Sequence, residues 1–151
     1  MSPSRRSGER PLVSTSGPQT QLSQQSSPEL WGRLVARTFA LSSVEEGRSQ
    51  VSPASTRAVF LQERHEQLAP ETSLAPGKRL EPVHLHGVED TSIHLCLPAA
   101  RGRELTELGW AEPHQFGDFG TEFFVYGPRD EEELEIVLAL IGESLTFARG
   151  D

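Results

Sequence analysis

Four of the five histidines fall between residues 84 and 114, and three of them lie in the run Pro82-Val83-His84-Leu85-His86-Gly87-Val88-Glu89-Asp90-Thr91-Ser92-Ile93-His94-Leu95-Cys96-Leu97. Imidazole is a common metal ligand, and it titrates close to neutral pH. The run reads as a β-hairpin. Pairing His84 with His94, and His86 with Ser92, leaves Gly87 to Thr91 as the loop. Side chains alternate along a strand, so register fixes the faces. Val83, Leu85, Ile93, Leu95 and Leu97 share one face; His84, His86, Ser92, His94 and Cys96 share the other. Residues directly opposite on antiparallel strands have Cβ atoms about 4.5–5.5 Å apart, close enough to share an ion. His84, His86 and His94 are therefore a candidate ligand set for a divalent transition metal. Three histidines with an open position is a known catalytic zinc arrangement, and imidazole also suits copper, iron and nickel.

A second group follows in Gly109-Trp110-Ala111-Glu112-Pro113-His114. His114 can fold back over the histidine face. Glu112 and His114 flank a rigid proline beside an aromatic ring, which makes an acid and a base at the wall of a pocket. The candidate catalytic residues are thus His84, His86, His94, Glu112 and His114. Plainer readings stand beside each. The histidine face can be the solvated side of a sheet, a metal-free acid/base site, or an oligomer interface. Trp110 reads as core, Cys96 as a small buried residue, Tyr126 as packing, and Arg129 as a partner of the glutamates that follow it.

These residues need elements to hold them. Ser27 caps a helix with Pro28 at its first position, and Trp31, Leu34, Val35 and Phe39 recur at helical spacing to an end near Leu41-Ser42. Val44 to Val51 and Thr56 to Leu61 read as strands about a Pro-containing turn, and residues 63–80 as a surface loop. After the hairpin a helix runs from Pro98 to Gly109. Trp110 to His114 reads as a turn, Gln115 to Gly120 as a loop and Thr121 to Tyr126 as a strand. Asp130 caps a last helix whose stripe is Leu134, Val137, Leu138, Ile141 and Leu145. The order α-β-β-β-β-α-β-α predicts an α+β fold, an antiparallel sheet with helices packed on one face as a two-layer sandwich.

The chain has 151 residues, which suits one domain, here residues 27–151. Residues 1–26 are rich in Ser, Gln, Pro, Gly and Thr, and their composition predicts disorder. A net charge of −8 argues against nucleic acid or anionic membrane as the main partner. No apolar run spans a bilayer, and no apolar stretch follows the N-terminal arginines. With one cysteine and so no intrachain disulfide, the expectation is a cytoplasmic protein.

The motifs His84-Leu85-His86, Ser92-Ile93-His94-Leu95, Gly109 to His114 and Val125-Tyr126-Gly127-Pro128-Arg129-Asp130-Glu131-Glu132-Glu133-Leu134 come in an order that resembles the luciferase domain family, found in bacteria and fungi. Val44-Glu45-Glu46-Gly47, Val51-Ser52-Pro53 and Thr56-Arg57-Ala58 extend the resemblance, which covers residues 30–148. Pro82-Val83 departs from the acidic, aromatic lead-in usual in that family. The resemblance implies a shared small α+β fold and a hint of oxidative chemistry. It does not extend to the flavin-dependent bacterial luciferases: this chain is too short for their barrel and has no Gly-rich dinucleotide fingerprint. Two functions follow. One is an enzyme acting on a small organic molecule through a histidine-lined, metal-binding pocket. The other is a non-catalytic ligand-binding or protein-interaction module using the same surface. Convergent imidazoles in a concave site favour the first; splayed rings on a flat wet face favour the second.

Overall fold

In a computed structural model, residues 2–16, 18–66, 69–115 and 119–150 are described. Positions 67–68 of the expected 63–80 loop, and Phe116 to Asp118 of the expected 115–120 loop, lie outside the described residues.

The last helix carries the clearest apolar stripe. It runs Glu131–Arg149 (α3), with the Asp130 carboxylate accepting from the Glu133 amide at 2.8 Å. Gly150 ends it at φ 81°, the left-handed conformation that glycine adopts without a Cβ penalty. Leu134, Val137, Leu140, Ile141 and Leu145 face the core, while Leu138 packs only at its margin. The first helix is Pro28–Phe39 (α1), capped by Ser27, whose hydroxyl accepts from the Leu30 amide. It buries Leu30, Trp31, Leu34 and Val35. Ala99–Glu107 (α2) places Leu105 in the same core.

The strands are Val44–Arg48 (β1), Arg57–Leu61 (β2), Val83–Gly87 (β3), Asp90–Cys96 (β4), Ala111–Pro113 (β5) and Glu122–Val125 (β6). They form one antiparallel sheet in the order β1-β2-β3-β4-β6-β5. The α+β sandwich expected from sequence is present. Val83, Leu85, Ile93 and Leu95 meet the helices on one face, and Phe123 and Val125 join them from β6.

Two details differ from expectation. The segment expected as a turn, Trp110 to His114, contains strand β5. It pairs with β6, Ala111 opposite Val125 and Pro113 opposite Phe123. It is the edge strand, where a proline without an N–H is tolerated. The hairpin also closes more tightly than expected. Gly87 pairs with Asp90, and the register shifts by one residue after Leu85↔Ile93, so Thr91 and Ser92 together stand opposite His86. This bulge strengthens local twist and re-aims side chains.

The N-terminal segment runs as an extended strap over the β5 edge and the histidine face. Among the described residues, none before Leu30 belongs to the apolar core. Polar groups hold it: Arg6 N–H donates to Leu108 O (2.8 Å), Gln21 N–H to the Asp90 carboxylate (2.9 Å) and Ser26 N–H to the Thr91 hydroxyl (2.8 Å). The Gln25 and Gln21 side-chain carbonyls accept in return from the Thr91 and Gly127 amides. Backbones approach closely here, for a Cβ on Gly127 would lie 1.9 Å from Thr91 O.

Candidate functional site

His84 and His94 are directly paired across β3 and β4, as the spacing predicts. Their ring centroids are 5.0 Å apart, and His86 stands 4.3 Å from His94 and 5.3 Å from His84. His114, just past β5, folds back over this face, its ring 4.6 Å from His94. One ligand nitrogen of each of His84, His86 and His94 lies within 4.8 Å of the others. The face is not a wet sheet surface: His84 is 2% exposed and His94 4%, while the side chains of His86 and His114 are 12% and 11% exposed.

The four rings line a cavity of about 810 Å³. Its other walls come from Pro18, Gln19 and Thr20 of the strap, from Val51 to Thr56 beyond β1, and from Leu74 and the hairpin turn. The turn after β1 reaches the rings because Ser49 and Ser52 hydroxyls stand 3.4 and 3.3 Å from the two nitrogens of His84.

Each imidazole of the trio has a partner that orients it. His84 Nδ1 lies 2.8 Å from the Glu81 carboxylate, which is fully buried and also accepts from the Ser49 hydroxyl (2.7 Å) and the Gln50 amide (2.8 Å). His86 Nδ1 bonds the Asp90 carboxylate, with Ser92 Oγ 3.1 Å away. His94 hydrogen-bonds the backbone of Gln19, and its Nε2 is buried with no hydrogen-bond partner. Histidines that ligate metals ordinarily carry such second partners on the ring's other nitrogen.

The protonation states follow from burial. Desolvation drives His94 well below the usual imidazole range, and the neighbouring imidazoles push the same way. Desolvation also lowers His84, and the Glu81 bond offsets only part of it. His114 is lowered to about 4 by burial and by His84 and His86. These three rings are neutral at pH 7, the form that binds metals. Burial is the largest single influence on Glu81 and Asp90 and works to raise both, but hydrogen bonds and charge from His84, Gln50 and Ser49 on Glu81, and from His86, Gln21 and Ser92 on Asp90, together outweigh it and hold both below the usual carboxylate range. Burial pushes the Cys96 thiol well above its usual value, so it stays protonated beside the cluster.

Of the residues picked out from sequence, His84, His86, His94 and His114 are brought together, and Glu112 is not. Glu112 lies outside the cavity lining, its carboxylate accepting from the Tyr126 hydroxyl (2.7 Å) and the Gln19 amide (3.4 Å). Trp110 is core, its indole N–H donating to Ser4 O, and Arg129 pairs with Glu133. Sequence reasoning missed Glu81, Asp90, Ser49, Gln19 and Glu122. Glu122 was within reach of it: alternation along β6 puts Glu122, Phe124 and Tyr126 on the histidine face, and a glutamate among strong β-formers is out of place unless it does something there.

Among the described residues no helix is long and apolar enough to cross a membrane. No solved structure matches the chain. Proteins named luciferase from Armillaria gallica and Armillaria mellea are each 36% identical over 77 residues, which is 47% of this chain and 29% of the relative. One from Neonothopanus nambi is 34% identical over the same length. The chain thus spans less than a third of the length of the curated relatives it matches. The family model of the luciferase domain matches residues 79–144. All four clustered histidines, together with Glu81, Asp90 and Glu122, fall inside that segment, which is the part of the chain similar to the luciferase domain family.

Proposed function

We propose that the protein is an enzyme acting on a small organic molecule, with a divalent transition metal held by His84, His86 and His94 at the floor of the cavity. The carrying observation is the buried Nε2 of His94, unpartnered and set among imidazoles whose own orientations are fixed by Glu81 and Asp90. A buried polar atom left without a partner costs about 1–3 kcal/mol, so its retention calls for a reason. A metal supplies one. The arrangement fits the concave, convergent case, and the cavity is of a size that takes a small ligand.

In this reading the ion activates water or oxygen when bound. The name luciferase borne by the relatives points toward oxygen. His114, at the rim and neutral at pH 7, is the acid/base group nearest to substrate. Glu112 is a positioning residue: it ties Tyr126 and Gln19, and Gln19 carries the backbone group that meets His94.

The test is the metal content of tag-free protein by elemental mass spectrometry, beside a His84→Ala/His94→Ala variant whose fold is checked by circular dichroism. Near-stoichiometric metal in the native chain, lost from the folded variant, is the expected result. If neither sample holds metal after reconstitution with zinc, iron and copper, the metal reading fails and the cavity is one for an organic ligand alone.

A further inference from the structure

His94 also belongs to a second group of donors. One ligand atom each of His94, His114 and Glu122 lies within 4.8 Å of the others, and His114 Nδ1 is 3.4 Å from the Glu122 carboxylate. Both His114 and Glu122 line the cavity, and their side chains are 11% and 20% exposed. The sheet puts them there. Phe124 pairs with His94 and Glu122 with Cys96, so Glu122 stands two residues along β6 on the histidine face. β5 then delivers His114, whose amide donates to Glu122 O. The described cavity lining carries Glu89, Asp90 and Glu122 and no lysine or arginine, a charge balance that favours a cation.

The two groups meet at one ring. The nitrogen His94 has to give is the buried Nε2 that lacks a hydrogen-bond partner, and one nitrogen serves one ion. Building on the three-histidine reading above, we propose that Glu122 is a carboxylate ligand of the same ion, with His114 beside it. The centre is then one of mixed nitrogen and oxygen donors. Imidazole and carboxylate donors together, with positions left open, are the donor types of non-haem Fe(II) oxygenases. The ion class is therefore Fe(II), with Co(II) as its spectroscopic stand-in.

The experiment is a Co(II) titration of the full chain, followed by visible absorption, on native protein, Glu122→Gln, Glu135→Gln and His84→Ala/His94→Ala. Glu122→Gln is expected to weaken binding about tenfold or more, on the scale of lost ligand support. It is also expected to strengthen the d–d bands, because losing an oxygen donor lowers the coordination number. A purely structural role would leave the bands of the bound ion unmoved. Glu135→Gln, on the exposed face of α3, is expected to match native protein in affinity and spectrum. If Glu122→Gln does not fold, Glu122→Ala replaces it, and native affinity and spectrum in that variant overturn the proposal. If Glu122→Gln matches native protein while the double histidine variant loses the ion, the Glu122 assignment fails and the three-histidine site stands. If native protein takes up no Co(II), both fail together.

Discussion

Metal-free protein should lose stability between pH 7 and pH 5. His114 is held at about 4 in the folded chain, against about 6.5 when unfolded. Between those values the unfolded imidazole binds more protons than the folded one, so stability rises with pH. The contribution is fully present above about pH 6.5 and is lost as pH falls toward 4. For a histidine with this pair of values, linkage gives a loss of about 1.8 kcal/mol from pH 7 to pH 5. His114 sits at the cavity rim, where water screens it, and about half of that, roughly 1 kcal/mol, is the safer figure. His84 and His94 are shifted in the same direction and add to it. Glu81 and Asp90 do not confuse the window. Their pKa values are depressed, so their share is lost only below about pH 4, the unfolded carboxylate range. Urea unfolding of chelator-treated protein, followed by the fluorescence of buried Trp31 and Trp110, measures the loss. With a urea slope of about 2 kcal/mol/M, 1 kcal/mol moves the midpoint by about 0.5 M. His114→Gln should flatten part of the dependence. A midpoint that is unchanged or higher at pH 5 would refute the neutral, desolvated histidine cluster.

Three further perturbations test other parts of the structure. Gly102→Ala puts a Cβ 1.9 Å from Phe123 Cζ, where α2 crosses β6, and should cost about 3 kcal/mol, the upper end of ordinary overpacking; a native urea midpoint would show that α2 docks differently. Glu81→Ala strips the acceptor from His84, Ser49 and the Gln50 amide at a fully buried site and should cost about 3 kcal/mol by the same assay, the scale of buried donors left unsatisfied. The Cys96 thiol, buried and pushed up in pKa, should react with a disulfide reagent at pH 8 only as fast as the chain unfolds, and rapid labelling of native protein would contradict its placement.

The elements legible in the sequence are those whose pattern is local. The α3 stripe, the Ser27 and Asp130 caps and the alternating hairpin each repeat within a few residues, and each lies in the structure where that repeat puts it. The His84/His94 pairing needed only the period of two. Strand β5 was hidden because three residues give no period, and Pro113 argues against a strand until its edge position is known. The strap was hidden for a different reason. Composition predicts order from apolar burial, and the described residues before Ser27 are held instead by glutamine and arginine side chains on backbone groups of β4, β5 and α2, and by strap amides donating to the Asp90 and Thr91 side chains. Nothing local marks Gln21 as the acceptor for the Gly127 amide.

The same division runs through the site itself. Glu81 is three residues before His84, and Asp90 four after His86, so both carboxylate partners are set by the hairpin's own backbone. The bulge opposite His86 belongs to this device: Ser92 and Asp90 reach the same ring because an extra residue stands on β4. His94 is different. Its partner is the Gln19 backbone, far back along the chain from β4, and none of the described strap residues belongs to the apolar core. Opening a segment held only by polar contacts costs less than opening one whose side chains fill the core. The two carboxylate-bound histidines should therefore keep their orientation in any state that retains the sheet, while the third is set only when the strap is down. A hydrogen-exchange profile in which the Thr91 and Gly127 amides, both bonded to strap glutamines, exchange faster than the β3–β4 ladder would bear this out; equal protection would mean that strap and sheet open as one unit.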